Sequence, residues 1–131
     1  MDHPLEKEQI VSRFLQNLLL ASWLALTVAS PLFAFESSTS TMGVSQLPKE
    51  GRETLALIRK GGPFPYSKDG TIFSNREHAL PREARGFYHE YTVKTPGARD
   101  RGARRIICGG RQQQACYYTA DHYATFKLIQ E

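Results

Sequence analysis

Hydrophobic positions between Leu47 and Gly61 recur at the spacing of a helix. Leu47, Leu55 and Ile58 fall on one face of such a helix. Pro48 is typical of a helix start, and Gly61 is typical of a helix end. The pattern therefore predicts one helix of about three turns.

After Gly61 the pattern changes to short β-branched and aromatic runs separated by Gly and Pro turns. The runs cover residues 71–73, 86–94, 104–108, 117–119 and 123–129. Consecutive runs of this kind predict antiparallel strands. One helix followed by strands predicts an α+β domain, in which the N-terminal helix packs on one face of a twisted antiparallel sheet.

The longest run predicts a sheet with two unlike faces. Alternation places Tyr91 and Val93 on one face and Glu90, Thr92 and Lys94 on the other. The second face is too polar for a core, so we expect it to hold a ligand.

The N-terminal part follows another pattern, because no charged residue occurs from Phe14 to Phe35. This leucine-rich run, with Pro31 and Ala34 after it, is typical of a signal peptide cleaved after Ala34. An uncleaved membrane anchor is the alternative, because the run approaches the ~20 residues that span a bilayer and the residues before it carry no positive excess. Both interpretations predict export.

These patterns divide the chain into a signal peptide at residues 1–34, a flexible Ser/Thr-rich leader at 35–46 and a folded domain at 47–131. The length of 131 residues leaves room for one domain, and 40% hydrophobic residues exclude a disordered chain. Lys and Arg number 17 against 13 Asp and Glu, a net charge of +4 that suits an anionic partner.

Cys108 and Cys116 flank a polar tip between two predicted strands. In an oxidising compartment a disulfide across this hairpin is the simplest use of the pair, and free thiols are the alternative. The spacing matches no common zinc motif, so no metal site is predicted.

Polar residues at strand positions supply the candidate chemistry. Glu90 can accept a proton and His122 can donate one, while Arg101, Arg104 and Arg105 can hold an anion. Taken singly, each is explained by a cross-strand ion pair or a solvated turn. Together they are the parts needed to cleave a phosphate ester without a metal ion.

Several motifs occur in one order along residues 47–131. They include Gly62-Pro63-Phe64-Pro65-Tyr66, Phe73-Ser74-Asn75-Arg76-Glu77, Tyr88-His89-Glu90-Tyr91-Thr92-Val93, Arg101-Gly102-Ala103-Arg104-Arg105-Ile106-Ile107 and Tyr117-Tyr118-Thr119-Ala120-Asp121-His122-Tyr123. In these motifs the chain resembles the guanyl-specific microbial ribonucleases, the barnase-like family, and most of all its streptomycete-type branch. The resemblance implies the microbial ribonuclease fold and a secreted endoribonuclease that cuts single-stranded RNA 3′ of guanosine.

The resemblance also implies catalytic roles. Glu90 is the expected general base for the ribose 2′-hydroxyl, and His122 is the expected general acid for the leaving 5′-oxygen. Arg101, Arg105 and Tyr123 are expected to bind the phosphate, with Arg105 counted as catalytic. The expected product is a 2′,3′-cyclic phosphate, which is then hydrolysed to a 3′-phosphate.

The resemblance further implies a guanine site. Glu77 is expected to accept hydrogen bonds from guanine N1 and N2, and backbone amides around Asn75 and Arg76 to contact O6. Phe73 and Tyr123 are expected to enclose the base by stacking. Plain core packing is the alternative for these two aromatic residues.

No cofactor is expected, and the expected partners are single-stranded RNA and an intracellular inhibitor of the barstar kind. We expect a monomer, secreted to the medium or the periplasm, without stable membrane association after signal cleavage. Three alternatives remain open. They are an RNA-binding module of the same fold that has lost cleavage, an antibacterial ribonuclease toxin, and a basic interaction protein anchored by residues 1–34.

Overall fold

The computed structural model describes residues 39–131, so the predicted signal peptide and the start of the predicted leader lie outside the described residues. The described strands are β1 Thr41–Gly43, β2 Thr71–Ile72, β3 Tyr88–Thr92, β4 Arg105–Gly109, β5 Ala115–Thr119 and β6 Lys127–Gln130. They form one sheet in the order β1-β6-β5-β4-β3-β2. All neighbouring strands are antiparallel except β1 and β6, which are parallel. Together with one α-helix, this sheet confirms the predicted α+β fold.

The helix α1, Lys49–Lys60, forms where the spacing predicts it. It ends at Gly61, whose φ of +87° favours glycine and whose N–H donates to the carbonyls of Leu57 and Ile58. Its buried Leu55 and Ile58 belong to the main hydrophobic core. From the sheet and the residue that follows β3, this core takes Tyr91, Val93, Ile106, Cys108, Cys116 and Tyr118.

The face of the sheet opposite α1 carries a second, smaller cluster. It consists of Leu80, Tyr88, Ile107, Tyr117 and Phe126. The prediction that this face is too polar for a core is therefore wrong for one end of it. The loops that contain Leu80 and Phe126 cover that end, and the polar residues of β3 lie beside the covered part.

Two segment boundaries differ from the predictions by more than two residues. Thr41–Gly43, assigned by sequence to the flexible leader, form β1 against β6, and Val44–Gln46 follow as a 3₁₀ helix. So short a strand has no local pattern of its own, because its pairing partner lies near the other end of the chain. The strand predicted at 123–129 begins only at Lys127, because the side chain of Asp121 organises a turn up to Thr125.

The β4–β5 hairpin carries the disulfide. Cys108 and Cys116 lie directly opposite each other in the register, with their Cα atoms 4.1 Å apart, and they are bonded. The disulfide prediction is confirmed, and the free-thiol alternative is wrong. Among residues 39–131, no helix has the length and apolar character to cross a membrane.

Candidate active site

The sheet face opposite α1 brings Glu90 and Arg105 together. Thr92 of β3 pairs with Arg105 of β4, and Glu90 lies two residues before Thr92, so Glu90 and Arg105 are diagonal neighbours on one face. Arg101, from the β3–β4 loop, and Tyr123, from the loop before β6, both contact Glu90. We call Glu90, Arg101, Arg105 and Tyr123 the polar cluster.

Glu90 is held from two sides. Its side chain is 13% exposed, and its oxygens accept hydrogen bonds from Arg101 Nη2 at 3.3 Å and from the Tyr123 hydroxyl at 2.6 Å. Arg101 is itself fixed, because its Nε donates to Thr92 Oγ1 at 3.0 Å. Each carboxylate oxygen of Glu90 has further lone-pair capacity, so the group can accept a proton from a bound hydroxyl.

Arg105 is a buried cation. The residue is 3% exposed, and its Nη1 donates to the carbonyl oxygens of Gly102 at 3.0 Å and Arg104 at 2.8 Å. Its Nε has no hydrogen-bond partner within the part of the chain that the structure describes. The backbone carbonyls carry no full charge, and Arg101 also binds the nearby Glu90 carboxylate, so a bound anion would further stabilise the buried guanidinium. The arrangement suits a phosphate group.

Tyr123 connects the polar cluster to a neighbouring cleft. Burial and the hydrogen bond to Glu90 raise the pKa of Tyr123 above its usual value of 10.0, which keeps the hydroxyl protonated as a donor. The ring lies 5.9 Å from Arg105 Cζ. The ring also stacks on Phe73, with ring centroids 5.4 Å apart and planes at 22°.

The contact between Phe73 and Tyr123 bears on base binding. A base between two rings needs two stacking contacts of about 3.5 Å each, which is more than the 5.4 Å between the centroids here. A base that enters between the rings must therefore separate them. A base that lies against the cleft side of either ring needs no such movement.

His122 is exposed and lies beside Tyr123 in a turn with unusual backbone angles. The two residues have φ of +53° and +69°, which costs a residue with a side chain about 1 kcal/mol. The backbone of this turn is tied down, because His122 N donates to the carbonyl of Ala103 at 3.2 Å and Tyr123 N donates to Thr119 Oγ1 at 3.2 Å.

Asp121 supports the same turn. Its carboxylate accepts hydrogen bonds from the Thr125 hydroxyl at 2.6 Å, the Thr125 N–H at 2.9 Å and the Thr119 hydroxyl at 2.9 Å. These hydrogen bonds, those of Thr125 above all, lower the pKa of Asp121 to about 2. The sequence analysis missed this role. A threonine two residues before the aspartate and another four residues after it were the available signal.

A cleft of about 440 Å³ opens next to the polar cluster. Phe73, Arg76, Glu77 and His122 are among the residues that line it. Asn75, with φ of +48°, fixes the shape of this wall, since its amide nitrogen donates to the Leu80 carbonyl and its amide oxygen accepts from Leu80 N–H. The side chain of Asn75 is thus committed to the loop, while Arg76 and Glu77 are exposed.

The structure places the predicted site residues in two adjoining groups, the polar cluster and the lining of the cleft. Tyr123 belongs to both. Arg104, part of the anion-holding set in the sequence analysis, is not in either group. Its charge acts on Tyr118 of the α1-side core, where it opposes the rise in the pKa of Tyr118 that burial causes. Among residues 39–131, no group of three or more His, Cys, Asp or Glu residues is arranged to hold a metal ion.

Comparisons with known proteins give a consistent result. A profile of the ribonuclease family matches residues 33–130. The chain is 58% identical over 93 residues to guanyl-specific ribonuclease Sa of Kitasatospora aureofaciens, an alignment that covers 71% of this chain and 96% of that protein. It is 54% identical over 85 residues to guanyl-specific ribonuclease St of Saccharopolyspora erythraea, covering 65% and 82%. A crystal structure of ribonuclease Sa2 with guanosine-2′-cyclophosphate is similar with a TM-score of 0.67 at 47% identity, covering 71% of this chain and 97% of that one.

Proposed function

The chain belongs to the ribonuclease family, and from that membership we propose that it is a guanyl-specific endoribonuclease that cuts single-stranded RNA 3′ of guanosine. One observation carries the proposal: Glu90, held by Arg101 and Tyr123, lies beside the buried Arg105 at the edge of a cleft that His122 lines. A base, an acid and cations at one place are what transfer of a phosphate ester requires.

In the first step Glu90 takes the proton of the ribose 2′-hydroxyl. The 2′-oxygen then attacks the adjacent phosphorus, the bond from phosphorus to the 5′-oxygen breaks, and His122 gives its proton to that oxygen. The product is a guanosine 2′,3′-cyclic phosphate and a new 5′-hydroxyl. DNA lacks the 2′-hydroxyl, so it binds without being cut.

The arginines supply the electrostatic part of the mechanism. Negative charge grows on the phosphoryl oxygens during the attack, and the positive charge of Arg105 beside Glu90 stabilises it. Arg101 and the protonated Tyr123 hydroxyl are further donors at the same place. The planar guanidinium fits two phosphate oxygens at once, which a lysine ammonium cannot do.

In the second step the roles reverse. His122, now neutral, takes a proton from water, and the water oxygen attacks the phosphorus of the cyclic phosphate. The bond from phosphorus to the 2′-oxygen breaks, and Glu90 returns its proton to that oxygen. This leaves a 3′-phosphate and restores both groups for the next cycle.

The cleft selects guanine through Glu77. Its carboxylate accepts hydrogen bonds from N1–H and the N2 amino group, which adenine does not have. Backbone N–H groups around Asn75 and Arg76 donate to O6, and the side chain of Asn75 holds this loop in shape. Adenine offers Glu77 no donor at these positions, and a hydrogen bond to a charged group contributes about 1.5–3 kcal/mol, which supports discrimination against it.

The test is digestion of a defined RNA with all four bases by the purified protein in EDTA, with Glu90→Gln and His122→Ala as variants. We expect fragments that end in guanosine 2′,3′-cyclic phosphate and their loss in both variants. Arg82→Ala, an exposed charge change outside both groups, is the matched control. If the folded wild type leaves RNA intact, the RNA-binding alternative replaces this proposal.

We also propose that the enzyme acts outside the cytoplasm, as a monomer, and that an acidic inhibitor of the barstar kind blocks it before export. The Cys108–Cys116 disulfide supports an oxidising compartment. The net charge of +4 favours an acidic partner. Sequencing the mature N-terminus of the exported protein tests the cleavage after Ala34.

A further inference from the structure

A second cleft adjoins the one that selects guanine. Its volume is about 610 Å³, and residues 73–76 line both clefts, so this segment is their common wall. The other residues of the second cleft come from β2, the start of β3 and the loop before β3. They are Ile72, Glu83, Ala84, Arg85, Gly86 and Tyr88. We call this second space the flanking cleft.

The lining of the flanking cleft combines cations with apolar surface. Arg76 and Arg85 are exposed there and form no ion pair within residues 39–131, and Glu83 is the one carboxylate of the lining. Ile72 is 55% exposed, the single large hydrophobic residue of the described part that is left exposed. Cations beside apolar or aromatic side chains are the general means of holding a nucleotide, by its phosphate and its base.

The position of the flanking cleft along the sheet indicates which nucleotide it faces. Tyr88 begins β3, whereas Thr92, at the other end of β3, pairs with Arg105. At ~3.3 Å per residue the two ends are about 13 Å apart. The scissile phosphate and the leaving nucleotide belong at the Arg105 end. An RNA that reaches the opposite end extends from guanosine in the 5′ direction.

We propose that the flanking cleft binds the nucleotide on the 5′ side of the guanosine, with its base against Ile72 and its phosphate at Arg85. The inference rests on the proposed function, since it uses the same substrate and the same cleft for guanine. It adds a substrate contact that neither the polar cluster nor the cleft that selects guanine supplies. A longer RNA is then a better substrate because of its 5′ extension.

The kinetic test compares the dinucleotide GpU with the trinucleotide UpGpU. We expect wild-type kcat/KM to be about fivefold higher for UpGpU, the size of a partly exposed phosphate contact. Arg85→Ala should remove most of this gain and Ile72→Ser part of it, and both variants should leave GpU cleavage unchanged. Arg82→Ala, the same charge change on the same loop but outside the flanking cleft, should keep the gain.

Equal kcat/KM for the two substrates in the wild type overturns the inference. The inference is also overturned if Arg85→Ala and Arg82→Ala reduce the gain in kcat/KM for UpGpU equally, because net charge alone would then explain the gain. A binding experiment separates this failure from failure of the proposed function. If GpU is not cut, calorimetry measures the affinity for 2′-deoxyguanosine 3′-phosphate and for its 5′-uridylyl derivative. Weaker binding of the 5′-uridylyl derivative by Arg85→Ala than by wild type supports the flanking cleft. Equal binding of that derivative by the two proteins overturns it.

Discussion

At the scale of single residues, Tyr123 has two separable roles. Its hydroxyl donates to Glu90, and its ring stacks on Phe73. Tyr123→Phe removes the first contact and keeps the second. We expect kcat/KM on GpU to fall about tenfold, as for loss of a hydrogen bond to a charged group, with the preference for guanine over adenine unchanged.

The matched variant is Tyr123→Ala, which removes the ring as well. Cleavage of GpU and of ApU by both variants separates the two contributions. If Tyr123→Phe cuts at the wild-type rate, the hydroxyl has no part in catalysis. If that variant changes the base preference, the hydroxyl takes part in guanine selection and the separation fails.

Asp121 links acid stability to the turn that carries His122. Its folded pKa of about 2 lies below the usual 3.8, so its contribution is fully present above pH 3.8 and is lost as the pH falls through 2. Asp121→Asn lacks the carboxylate at every pH. We therefore expect the variant to have a lower Tm than wild type at pH 7 and the two values to converge between pH 4 and pH 2.

Thermal unfolding at a series of pH values measures this convergence. Thr125→Val, which removes a donor to the same carboxylate, should lower Tm at pH 7 in the same direction. A difference between wild type and Asp121→Asn that stays constant down to pH 2 would contradict the linkage.

At the scale of elements, two glycines of the helix region give opposite predictions for one chemical change. Gly61 has φ of +87°, so Gly61→Ala strains the helix end and should lower the free energy of unfolding by about 1 kcal/mol. Gly51 lies inside α1, where a Cβ meets Leu47 and Pro48 at 3.4 Å. Gly51→Ala should raise the free energy of unfolding by about 0.5 kcal/mol, because alanine favours the helix. Urea unfolding of both variants measures the two signs, and equal signs would contradict the argument.

The disulfide belongs to the β4–β5 hairpin alone. It closes a loop with a sequence separation of 8, for which chain entropy predicts a contribution of about 2–3 kcal/mol. Paired Cys108→Ser and Cys116→Ser changes should lower the free energy of unfolding by about that amount. The two cysteines lie on the α1 side of the sheet and the polar cluster on the other, so RNA cleavage well below Tm should be unchanged. Loss of activity in the folded variant would show that the hairpin positions the site.

The elements also show what the sequence can and cannot predict. The helix and the disulfide follow from local signals, namely the spacing of Leu55 and Ile58 and two cysteines facing each other across a hairpin. The strand β1 could not be predicted, because its pairing with β6 joins distant parts of the chain. The late start of β6 depends on the hydrogen bonds of Asp121 with Thr125, which override the β-branched pattern.

For the site, residue types were predictable and contacts were not. The resemblance names Glu90 and Tyr123, but only the folded chain shows that one donates to the other. It pairs Phe73 with Tyr123 around a base, whereas the structure has the two rings in contact. Such contacts depend on loops from distant parts of the chain, whose meeting no short stretch of sequence encodes.

At the scale of the whole molecule, net charge and RNA length act together. A chain of charge +4 that binds a polyanion releases counterions, so affinity falls with salt by a log-log slope of about −0.7 for each phosphate neutralised. A trinucleotide that also occupies the flanking cleft neutralises one more phosphate than GpU does. We therefore expect kcat/KM for UpGpU to fall with salt more steeply than for GpU, by about 0.7 in slope.

Initial rates of both substrates from about 0.05 to 0.5 M salt measure the two slopes. Arg85→Ala should bring the UpGpU slope to that of GpU, because it removes the added phosphate contact. Arg82→Ala lowers the net charge equally and should leave the difference in place, since this side chain lies outside the flanking cleft. If both variants abolish the difference between the two slopes, the charge of the whole molecule sets the salt dependence. If only Arg85→Ala abolishes it, the added salt dependence comes from the single contact at Arg85.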